Sequence, residues 1–392
     1  MRIFAKIINL YLSFLEYMIP FNKPFLIGNE LKYIQESVYS GKISGNGNFT
    51  KRCQTFFESK YNIKKALLTT SCTDALEMCA MLLNIKSGDE VIVPSYTFVS
   101  TALAFMRQGA KIVFADSRRD HPGVNEDVIK ALITAKTKAI VVVHYAGVAC
   151  NMDKIMDLAE KNNLYVVEDA AQAIDSSYKG KPLGTIGHLG AFSFHETKNI
   201  ICGEGGLLSI NTEEFVDRAE ILWEKGTNRS AFFKGEVNKY GWVDTGSSFL
   251  PSEIIAAFLY GQLEHLEMIQ SKRKQIWDSY ASQLKILADQ NKLKLPSIPD
   301  FATNNAHMFY LVTKDQEERN ELIAYLKKNK IHSVFHYLCL HESEYYSKIE
   351  APKLLENAKK YDQCLLRLPF YYELKENEIE YITDSIKKFY QN

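Results

Sequence analysis

The sequence has no surplus of either charge. Its 392 residues contain 47 lysines and arginines and 47 aspartates and glutamates, so the formal net charge at pH 7 is zero. A protein that binds nucleic acid or an anionic membrane surface usually carries a basic excess. The balance therefore gives no reason to expect nucleic acid as a partner, or a polybasic patch for membranes.

Closely spaced cysteines are missing as well. The seven cysteines are odd in number and scattered, and no two have the Cys-x-x-Cys spacing that is typical of zinc sites. We therefore expect neither a disulfide framework nor a structural metal. The pattern favours a reduced, cytoplasmic protein.

The sequence also lacks a segment that fits a stable membrane anchor. Residues 1–17 are apolar, but Lys6 and Glu16 interrupt the run, no small-residue cleavage site follows, and the stretch is too short to span a bilayer. One interpretation is a start codon assigned too early, with Met18 as the true first residue. The other is an amphipathic helix that contacts a membrane surface. N-terminal sequencing of the native protein would distinguish the two.

What the sequence does contain is a regular alternation of short apolar segments with helical patterns. The apolar segments predict strands at residues 66–69, 90–94, 111–116, 138–144, 164–169, 191–194 and 206–210. Such alternation is typical of an α/β fold with a mainly parallel sheet, here of seven strands, and helices on both faces. The motif Gly-x-Gly-x-x-Gly, which a nicotinamide-dependent oxidoreductase needs after its first strand, is absent.

The length indicates two domains, since single cores stop growing near roughly 250–300 residues. A long helical pattern over residues 252–288 is followed by Pro296 and Pro299, which mark a boundary. We predict a large domain with an N-terminal arm at residues 18–270. A linker helix and a small α+β domain follow at residues 271–392.

The most informative stretch is Ala-Phe-Ser-Phe-His-Glu-Thr-Lys-Asn at residues 191–199, which glycines follow at 203, 205 and 206. A short apolar run that meets polar residues and then glycines predicts a strand that delivers reactive side chains onto a turn. A lysine near a desolvated pocket can lose its proton and attack a carbonyl group, as the chemistry of pyridoxal 5'-phosphate (PLP) requires. Lys198 is therefore the candidate catalytic residue, although a single lysine is more often a solvated surface group.

A carboxylate at the end of another strand supports this interpretation. Glu168 and Asp169 end the predicted strand 164–169, at the sheet edge where α/β proteins bind their ligands. PLP needs an ionised carboxylate against its pyridine nitrogen, because this keeps the nitrogen protonated and preserves the ring as an electron sink. Asp169 fits that role. The alternative is a strand-end aspartate that caps the next helix.

The first predicted strand ends in small and hydroxyl-bearing residues and opens a helix near Asp74. The start of a helix leaves backbone N–H groups free, and its dipole favours an anion there. We expect the phosphate group of PLP at Ser71 and Cys72, with Ser193 adding a hydroxyl. An ordinary Ser/Thr helix cap is the alternative.

Four ordered motifs together resemble the DegT/DnrJ/EryC1/StrS family of PLP-dependent nucleotide-sugar aminotransferases. They are Thr-Ser-Cys-Thr-Asp-Ala-Leu at residues 70–76, Pro-Ser-Tyr-Thr-Phe-Val-Ser-Thr at 94–101, Glu-Asp-Ala-Ala-Gln at 168–172 and Ser-Phe-His-Glu-Thr-Lys-Asn at 193–199. The resemblance runs from about Met18 to the C-terminus. It implies the aspartate-aminotransferase-like fold (PLP fold type I), whose large domain has a sheet of this size. It also implies a homodimer with active sites shared between subunits.

The resemblance assigns further contacts to the cofactor. It places Phe98 over the pyridine face, where a core phenylalanine is the alternative, and Gln172 at the phenolic oxygen. Many members of the family have an asparagine that reaches from the neighbouring subunit to the phosphate. Ser248 stands in that place here, and its shorter side chain puts the contact in doubt.

Substrate contacts are expected from charged residues and histidines. Lys225 and Arg229 are candidates for the diphosphate of a sugar nucleotide, since arginine matches the geometry of phosphate. A solvated charged loop fits them equally. His336, a further candidate near the substrate, and His307 have no metal-ligand spacing, and we interpret them as pocket-wall or core histidines.

The expected reaction is transfer of the amino group of L-glutamate to C4 of a nucleotide-linked 4-keto-6-deoxy sugar. Stretches at residues 144–150, 224–230, 305–310 and 334–337 are similar to those of family members that form dTDP-4-amino-4,6-dideoxygalactose from dTDP-4-dehydro-6-deoxyglucose for enterobacterial common antigen. The alternatives are another nucleotide sugar or carbon, and a non-catalytic regulatory relative of the same fold. Sugar dehydratases of the family are a poorer match, because they carry histidine in the place of Lys198.

Overall fold

The computed structural model of the chain describes residues 18–391. Residues 1–17, on which the hypotheses of an early start codon and of an amphipathic helix rest, lie outside the described residues. Within residues 18–391, no helix combines the length and the apolar character that crossing a bilayer requires.

A seven-stranded sheet forms the centre of the large domain. The strands of this domain are β1 (Lys65–Thr69), β2 (Glu90–Pro94), β3 (Lys111–Ala115), β4 (Thr137–Val143), β5 (Tyr165–Asp169), β6 (Ser177–Tyr178), β7 (Lys181–Pro182), β8 (Leu189–Ser193) and β9 (Gly206–Ile210). The order across the sheet is β1-β9-β8-β5-β4-β2-β3, and β6 and β7 form a separate hairpin. Strand β9 runs antiparallel to both of its neighbours, and the other pairs are parallel. The predicted mainly parallel sheet is therefore confirmed.

Both faces of this sheet are buried, as expected of a parallel sheet that helices cover on each side. Neighbouring strand residues point to opposite faces. Leu68 and Ile92 pack in the core on one face. Leu67 and Val91 pack in the core on the other. The helices that complete the fold are Glu30–Tyr39, Asn48–Tyr61, Cys72–Leu82, Ser100–Met106, Glu126–Leu132, Met152–Lys161, Val216–Trp223, Arg229–Phe233, Glu253–Leu263, Leu266–Asp289, Gln316–Lys328, Glu356–Cys364 and Glu376–Phe389.

The helix Leu266–Asp289 joins the two domains. Ile269, near its start, packs in a large-domain core, and Ile276 packs in the core of the small domain. The helical pattern expected over residues 252–288 is divided into two helices, because His265 has non-helical backbone angles (φ −112°, ψ 16°). The predicted boundary after residue 270 lies within the second helix.

The small domain is built on three short antiparallel strands. These are β10 (Tyr310–Val312), β11 (Val334–Phe335) and β12 (Leu365–Arg367), in the order β10-β12-β11. The first residues of the arm, which we predicted to be part of the large domain, pair with this domain: Ile19 N donates to Lys330 O at 2.9 Å, and His332 N donates to Ile19 O at 3.0 Å. This pairing satisfies backbone groups that would otherwise lack partners, and it depends on contacts over more than 300 residues.

Candidate active site

A cavity of about 580 Å³ lies at the carboxyl ends of the central strands, against the small domain. Strands β5 and β8 carry polar residues to its wall, because parallel strands end at one edge of a sheet. Eight of the residues predicted from the sequence line this cavity, namely Ser71, Cys72, Phe98, Asp169, Gln172, Ser193, Lys198 and His336. Folding thus brings together residues that are widely separated in the chain.

Asp169, the last residue of β5, is 5% exposed and lies in the cavity wall. Thr101 Oγ1 donates a hydrogen bond to its Oδ2 at 2.8 Å, and Ala171 N donates to its Oδ1 at 3.1 Å. Burial raises the pKa of Asp169, and the two hydrogen bonds act in the opposite direction. No helix starts directly after Asp169, so the capping alternative is wrong. The carboxylate is held in one orientation, and a cationic partner in the cavity would favour its ionised form.

The neighbouring carboxylate, Glu168, lies on the opposite face of β5 and is fully buried. It accepts hydrogen bonds from the backbone N–H groups of Gly184 at 2.8 Å, Ile186 at 2.6 Å and Gly187 at 2.6 Å. Its Oε2 also lies 2.8 Å from His144 Nε2. Glu168 therefore fixes the loop that precedes β8, and only Asp169 of the two carboxylates faces the cavity.

Lys198 follows β8 in a turn, where its backbone N donates to His195 O at 2.9 Å. Its side chain lines the cavity. Burial lowers the pKa of Lys198, and the charge of Arg367 acts in the same direction, whereas the carboxylate of Asp169 acts in the opposite direction. A lowered pKa increases the share of neutral amine, which is the form that attacks a carbonyl or accepts a proton.

The residue after Lys198 ties this turn to the small domain. Asn199 Nδ2 donates to Gln270 Oε1 and to Asn305 O, each at 2.8 Å. Its Oδ1 lies 2.8 Å from His307 Nδ1, and Arg273 Nη2 holds the backbone carbonyl of His307 at 2.6 Å. These contacts restrict the backbone that carries Lys198, so they position its amine relative to the cavity.

The predicted phosphate site lies where the helix Cys72–Leu82 begins. Ser71 Oγ accepts a hydrogen bond from Asp74 N at 3.1 Å, so the ordinary cap that we gave as the alternative is present. The first N–H groups of a helix nevertheless lack intrahelical acceptors, and Ser71, Cys72 and Ser193 line the same cavity. The helix dipole favours an anion at this wall.

Gly206, the first residue of β9, lies directly against this helix start. It pairs with Thr69 on one side and with Ser193 on the other. A Cβ atom on Gly206 would lie 2.4 Å from Cys72 N and 2.4 Å from Ser71 O. Both atoms belong to the backbone, so neither can rotate away. Any side chain at this position would displace the start of the helix.

We expect Gly206→Ala to weaken PLP binding at least about tenfold and to lower the free energy of unfolding by about 1–3 kcal/mol, the usual range for overpacking. The reason is the displacement of the N–H groups that we expect to bind the phosphate. Titration of the cofactor-free protein with PLP, followed by absorbance, measures the affinity. Gly241→Ala is the matched control, since nothing lies within 4 Å of a Cβ there. Unchanged affinity in Gly206→Ala would contradict the phosphate site.

Two predicted residues form the aromatic and amide part of the wall. Phe98 is 56% exposed and lines the cavity, so the alternative of a core phenylalanine is wrong. Its ring centroid lies 6.2 Å from that of Tyr337. Gln172 Oε1 accepts from Ala146 N at 2.6 Å, and its Nε2 donates to Tyr337 Oη at 2.9 Å. Tyr337, in the small-domain wall of the cavity, therefore contacts both Phe98 and Gln172.

Three predicted residues do not line this cavity of their own chain. Ser248, Lys225 and Arg229 are exposed on the segment 225–248. Arg229 Nη1 lies 3.7 Å from Glu224 Oε2, and its guanidinium lies 5.2 Å from the Phe233 ring centroid. The contact of Ser248 with the cofactor of a neighbouring subunit, and those of Lys225 and Arg229 with a diphosphate, stay predictions.

The two histidines of the wall are neutral. His336 and His307 line the cavity. Tyr145 Oη lies 2.7 Å from His336 Nδ1. Burial lowers the pKa of both histidines well below the usual range. They can therefore exchange hydrogen bonds with a substrate without adding charge to the cavity.

Arg367, at the end of β12, is a site residue that the sequence analysis missed. It lines the cavity, and burial lowers its pKa. Its guanidinium lies 4.6 Å from the Phe21 ring centroid, and within residues 18–391 its buried Nε has no hydrogen-bond partner. An arginine inside the otherwise apolar run Leu-Leu-Arg-Leu-Pro at residues 365–369 was the available signal, because a charge in a buried strand is rare without a function.

The chemistry of the cavity fits PLP. The cavity contains an amine that can react with the aldehyde of PLP and a buried carboxylate that suits its pyridine nitrogen. It also contains an aromatic ring that suits the face of the pyridine ring and a helix start that suits the phosphate. In the described part of the chain, no three His, Cys, Asp or Glu side chains are grouped so as to hold a metal ion. All seven cysteines are unpaired.

Comparison with known proteins agrees with this chemistry. The model of the DegT/DnrJ/EryC1/StrS aminotransferase family matches residues 25–387. The GDP-perosamine synthase of Escherichia coli O157:H7 is 32% identical over 379 residues, which are 95% of this chain and 99% of that protein. The spore coat polysaccharide biosynthesis protein SpsC of Bacillus subtilis is 30% identical over 380 residues, 95% of this chain and 97% of that protein.

Solved structures show the same similarity. The PLP form of the putative sugar aminotransferase Spr1654 from Streptococcus pneumoniae has a TM-score of 0.88 and 26% identity, and the match covers 96% of this chain and 99% of that one. The sequence, the fold and the cavity thus lead to the same class of enzyme. The chain belongs to the DegT/DnrJ/EryC1/StrS family and is a PLP-dependent sugar aminotransferase.

Proposed function

We propose that this enzyme moves the amino group of L-glutamate to C4 of a nucleotide-linked 4-keto-6-deoxy sugar. The observation that carries the proposal is that Lys198 and Asp169 line one cavity in a chain of this family. When bound, PLP supplies an electron sink for the negative charge that develops as a proton leaves the carbon beside the amine. The protein must hold the cofactor, move the proton and orient both substrates.

Several side chains would hold the cofactor. Asp169, oriented by Thr101, would keep a proton on the pyridine nitrogen. Phe98 would pack against the ring, and Gln172 would hydrogen-bond the phenolic oxygen. The wall made of Ser71, Cys72 and Ser193 would bind the phosphate.

Lys198 attaches the cofactor between turnovers and moves protons during them. Its lowered pKa keeps part of the amine neutral, so Nζ can take the proton from Cα of glutamate. In the second half of the reaction, the same atom delivers a proton to C4 of the sugar. The same residue can act in both halves of the reaction, since the hydrogen bonds of Asn199 hold the turn that carries Lys198 in place.

We propose that Arg367 binds the carboxylate of the amino donor, L-glutamate. Its side chain lines the cavity, and its Nε has no partner in the described part of the chain. The negative charge of a carboxylate would offset the burial that lowers the pKa of this guanidinium. The neutral His336 and His307 beside it add polar contacts without competing for that charge.

Arg367→Gln is expected to raise the KM for glutamate about 10–100-fold, since a hydrogen bond to a charged group contributes about 1.5–3 kcal/mol. The KM for the sugar nucleotide should change little, and it serves as the internal control for folding. Steady-state kinetics with each substrate varied in turn measures both constants. An equal rise in the two KM values would contradict the assignment.

The acceptor sugar is tested directly by assay. The similar stretches in the sequence suggest a dTDP-linked sugar, whereas the name of the E. coli relative contains a GDP-linked one. The enzyme is incubated with L-glutamate and the dTDP-, GDP- or UDP-linked 4-keto-6-deoxy sugar, and NMR identifies the product. We expect amination at C4, with dTDP-4-amino-4,6-dideoxygalactose from dTDP-4-dehydro-6-deoxyglucose. If only the GDP-linked sugar were turned over, the acceptor would be assigned as a GDP-linked sugar instead of a dTDP-linked one. Amination at another carbon would overturn the proposal.

We also propose a homodimer with shared active sites and a cytoplasmic location. The segment 225–248, which carries Ser248, also exposes Trp242 (84%) and Phe233 (71%), and exposed aromatic residues of this kind mark interfaces. The seven unpaired cysteines suit a reducing compartment. Analytical ultracentrifugation of the active enzyme tests the dimer, and a monomer with full activity would contradict it.

A further inference from the structure

A second cavity, of about 270 Å³, lies between the large and the small domain. It shares no lining residue with the candidate active site. Three segments that are far apart in the sequence supply its cations: Arg119 follows β3, Lys294 follows the helix Leu266–Asp289, and Lys360 lies on the helix Glu356–Cys364. Both domains therefore contribute to one basic site.

The cations of this cavity outnumber its acidic side chains. Among residues 18–391, Arg119, Lys294 and Lys360 form no ion pair within 4 Å. Asp120 also lines the cavity, but its two carboxylate oxygens accept hydrogen bonds from Arg118 at 3.1 and 3.0 Å. Lys360 lowers the pKa of Lys294, burial and Arg119 act in the same direction, and Asp120 acts against them. Three cations therefore share this cavity with a single carboxylate, which Arg118 already binds.

The wall of the cavity also offers hydroxyl donors. Tyr310 and Tyr361 line it and are only 2% and 4% exposed. No hydrogen bond joins either hydroxyl to another residue of the described chain, so each is available to donate to a group bound in the cavity. Ser297 adds a third hydroxyl to the lining.

We propose that this cavity binds a small phosphate-bearing molecule. A phosphate group carries two negative charges near neutral pH and three acceptor oxygens, and it suits a site made of one arginine, two lysines and hydroxyl donors. At about 30 Å³ per water molecule, the cavity holds roughly nine waters, which is space for a phosphate group and part of the molecule that carries it. The bound anion would connect cations of the two domains. It would therefore stabilise their arrangement by mass action.

Isothermal titration calorimetry on the PLP-loaded enzyme tests the proposal. The probes are inorganic phosphate, inorganic pyrophosphate and glucose 6-phosphate, at constant ionic strength set with sodium chloride. A lower Kd for glucose 6-phosphate than for phosphate identifies a site for phosphate esters, and the reverse identifies a site for the free anion. Either result supports the site.

The double variant Lys294→Gln/Lys360→Gln should raise the Kd of the tightest probe at least tenfold. Lys292→Gln, which removes an exposed lysine outside the cavity, is the matched control and should leave that Kd unchanged. Since the double variant removes repulsion, its melting temperature without phosphate should equal or exceed that of the wild type, which verifies folding. Unchanged affinity in the double variant, equal weakening in Lys292→Gln, or no binding of any probe to the wild type would overturn the proposal.

Discussion

Replacement of Lys198 by Ala is expected to reduce the rate of amino transfer at least about 10³-fold, within the range that a single acid–base group contributes. The loss should be larger than for any other variant, because one amine both attaches the cofactor and moves the proton. Alanine also removes the only lysine of the cavity wall in the described part of the chain. No nearby amine is left to replace Nζ.

Two measurements distinguish the covalent attachment of PLP from the transfer of the proton. After borohydride reduction and denaturation, the wild type should retain PLP covalently, as seen by mass spectrometry, and Lys198→Ala should retain none. Lys86→Ala, an exposed lysine outside the cavity, is the control and should behave as the wild type. Partial rescue of turnover by added methylamine would support the proton-transfer role. Normal turnover by Lys198→Ala without added amine would exclude Lys198 as the catalytic residue.

Asp169→Asn should have opposite effects on activity and on the stability of the cofactor-free protein. Activity should fall by at least about 10²-fold, because the neutral amide cannot hold a proton on the pyridine nitrogen. The cofactor-free variant should nevertheless be as stable as the wild type or more stable. The reason is that burial raises the pKa of Asp169, so the ionised carboxylate costs free energy in the folded state.

The difference in stability between Asp169→Asn and the wild type should depend on pH in a defined direction. A carboxyl group whose pKa is raised by folding favours the folded state while it is protonated, and this contribution is lost as the pH rises through the raised pKa. In the absence of PLP, the melting temperature of Asp169→Asn should therefore exceed that of the wild type by an amount that grows as the pH rises above the ordinary pKa of an aspartate, about 4, until it has passed the raised pKa. Thermal melts of both proteins across this range measure the difference. A difference that shrinks with rising pH would contradict the interpretation.

Thr101→Val is a milder change that affects the same carboxylate as Asp169→Asn. It removes one of the two hydrogen bonds to the carboxylate and keeps the charge. We expect a smaller loss of activity than in Asp169→Asn, because Ala171 N still orients the carboxylate. If Thr101→Val were the more severe of the two, orientation rather than charge would be the main contribution of Asp169.

Local sequence patterns were enough to predict the sheet and most of the residues that line the candidate active site. Apolar runs and the breaks between them are local, so they gave the seven strands to within one or two residues of their observed ends. The ends of parallel strands must lie at one edge, which is why Asp169 was identified before any contact was known. Lys198 followed from an apolar run that meets polar residues and glycines, and the resemblance of the four motifs added Phe98 and Gln172. All four residues line the same cavity.

Which charges are buried together depends on the three-dimensional fold. Arg367 lines the cavity because the small-domain strand β12 packs against it, and a local sequence pattern does not show which strand lies against a cavity. In the same way, β5 directs Glu168 into the protein and Asp169 into the cavity, and packing leaves Phe98 exposed there instead of in the core. The physical reason is that strand periodicity depends on neighbours in the chain, whereas burial, pKa and cavity shape depend on residues that folding brings from hundreds of positions away.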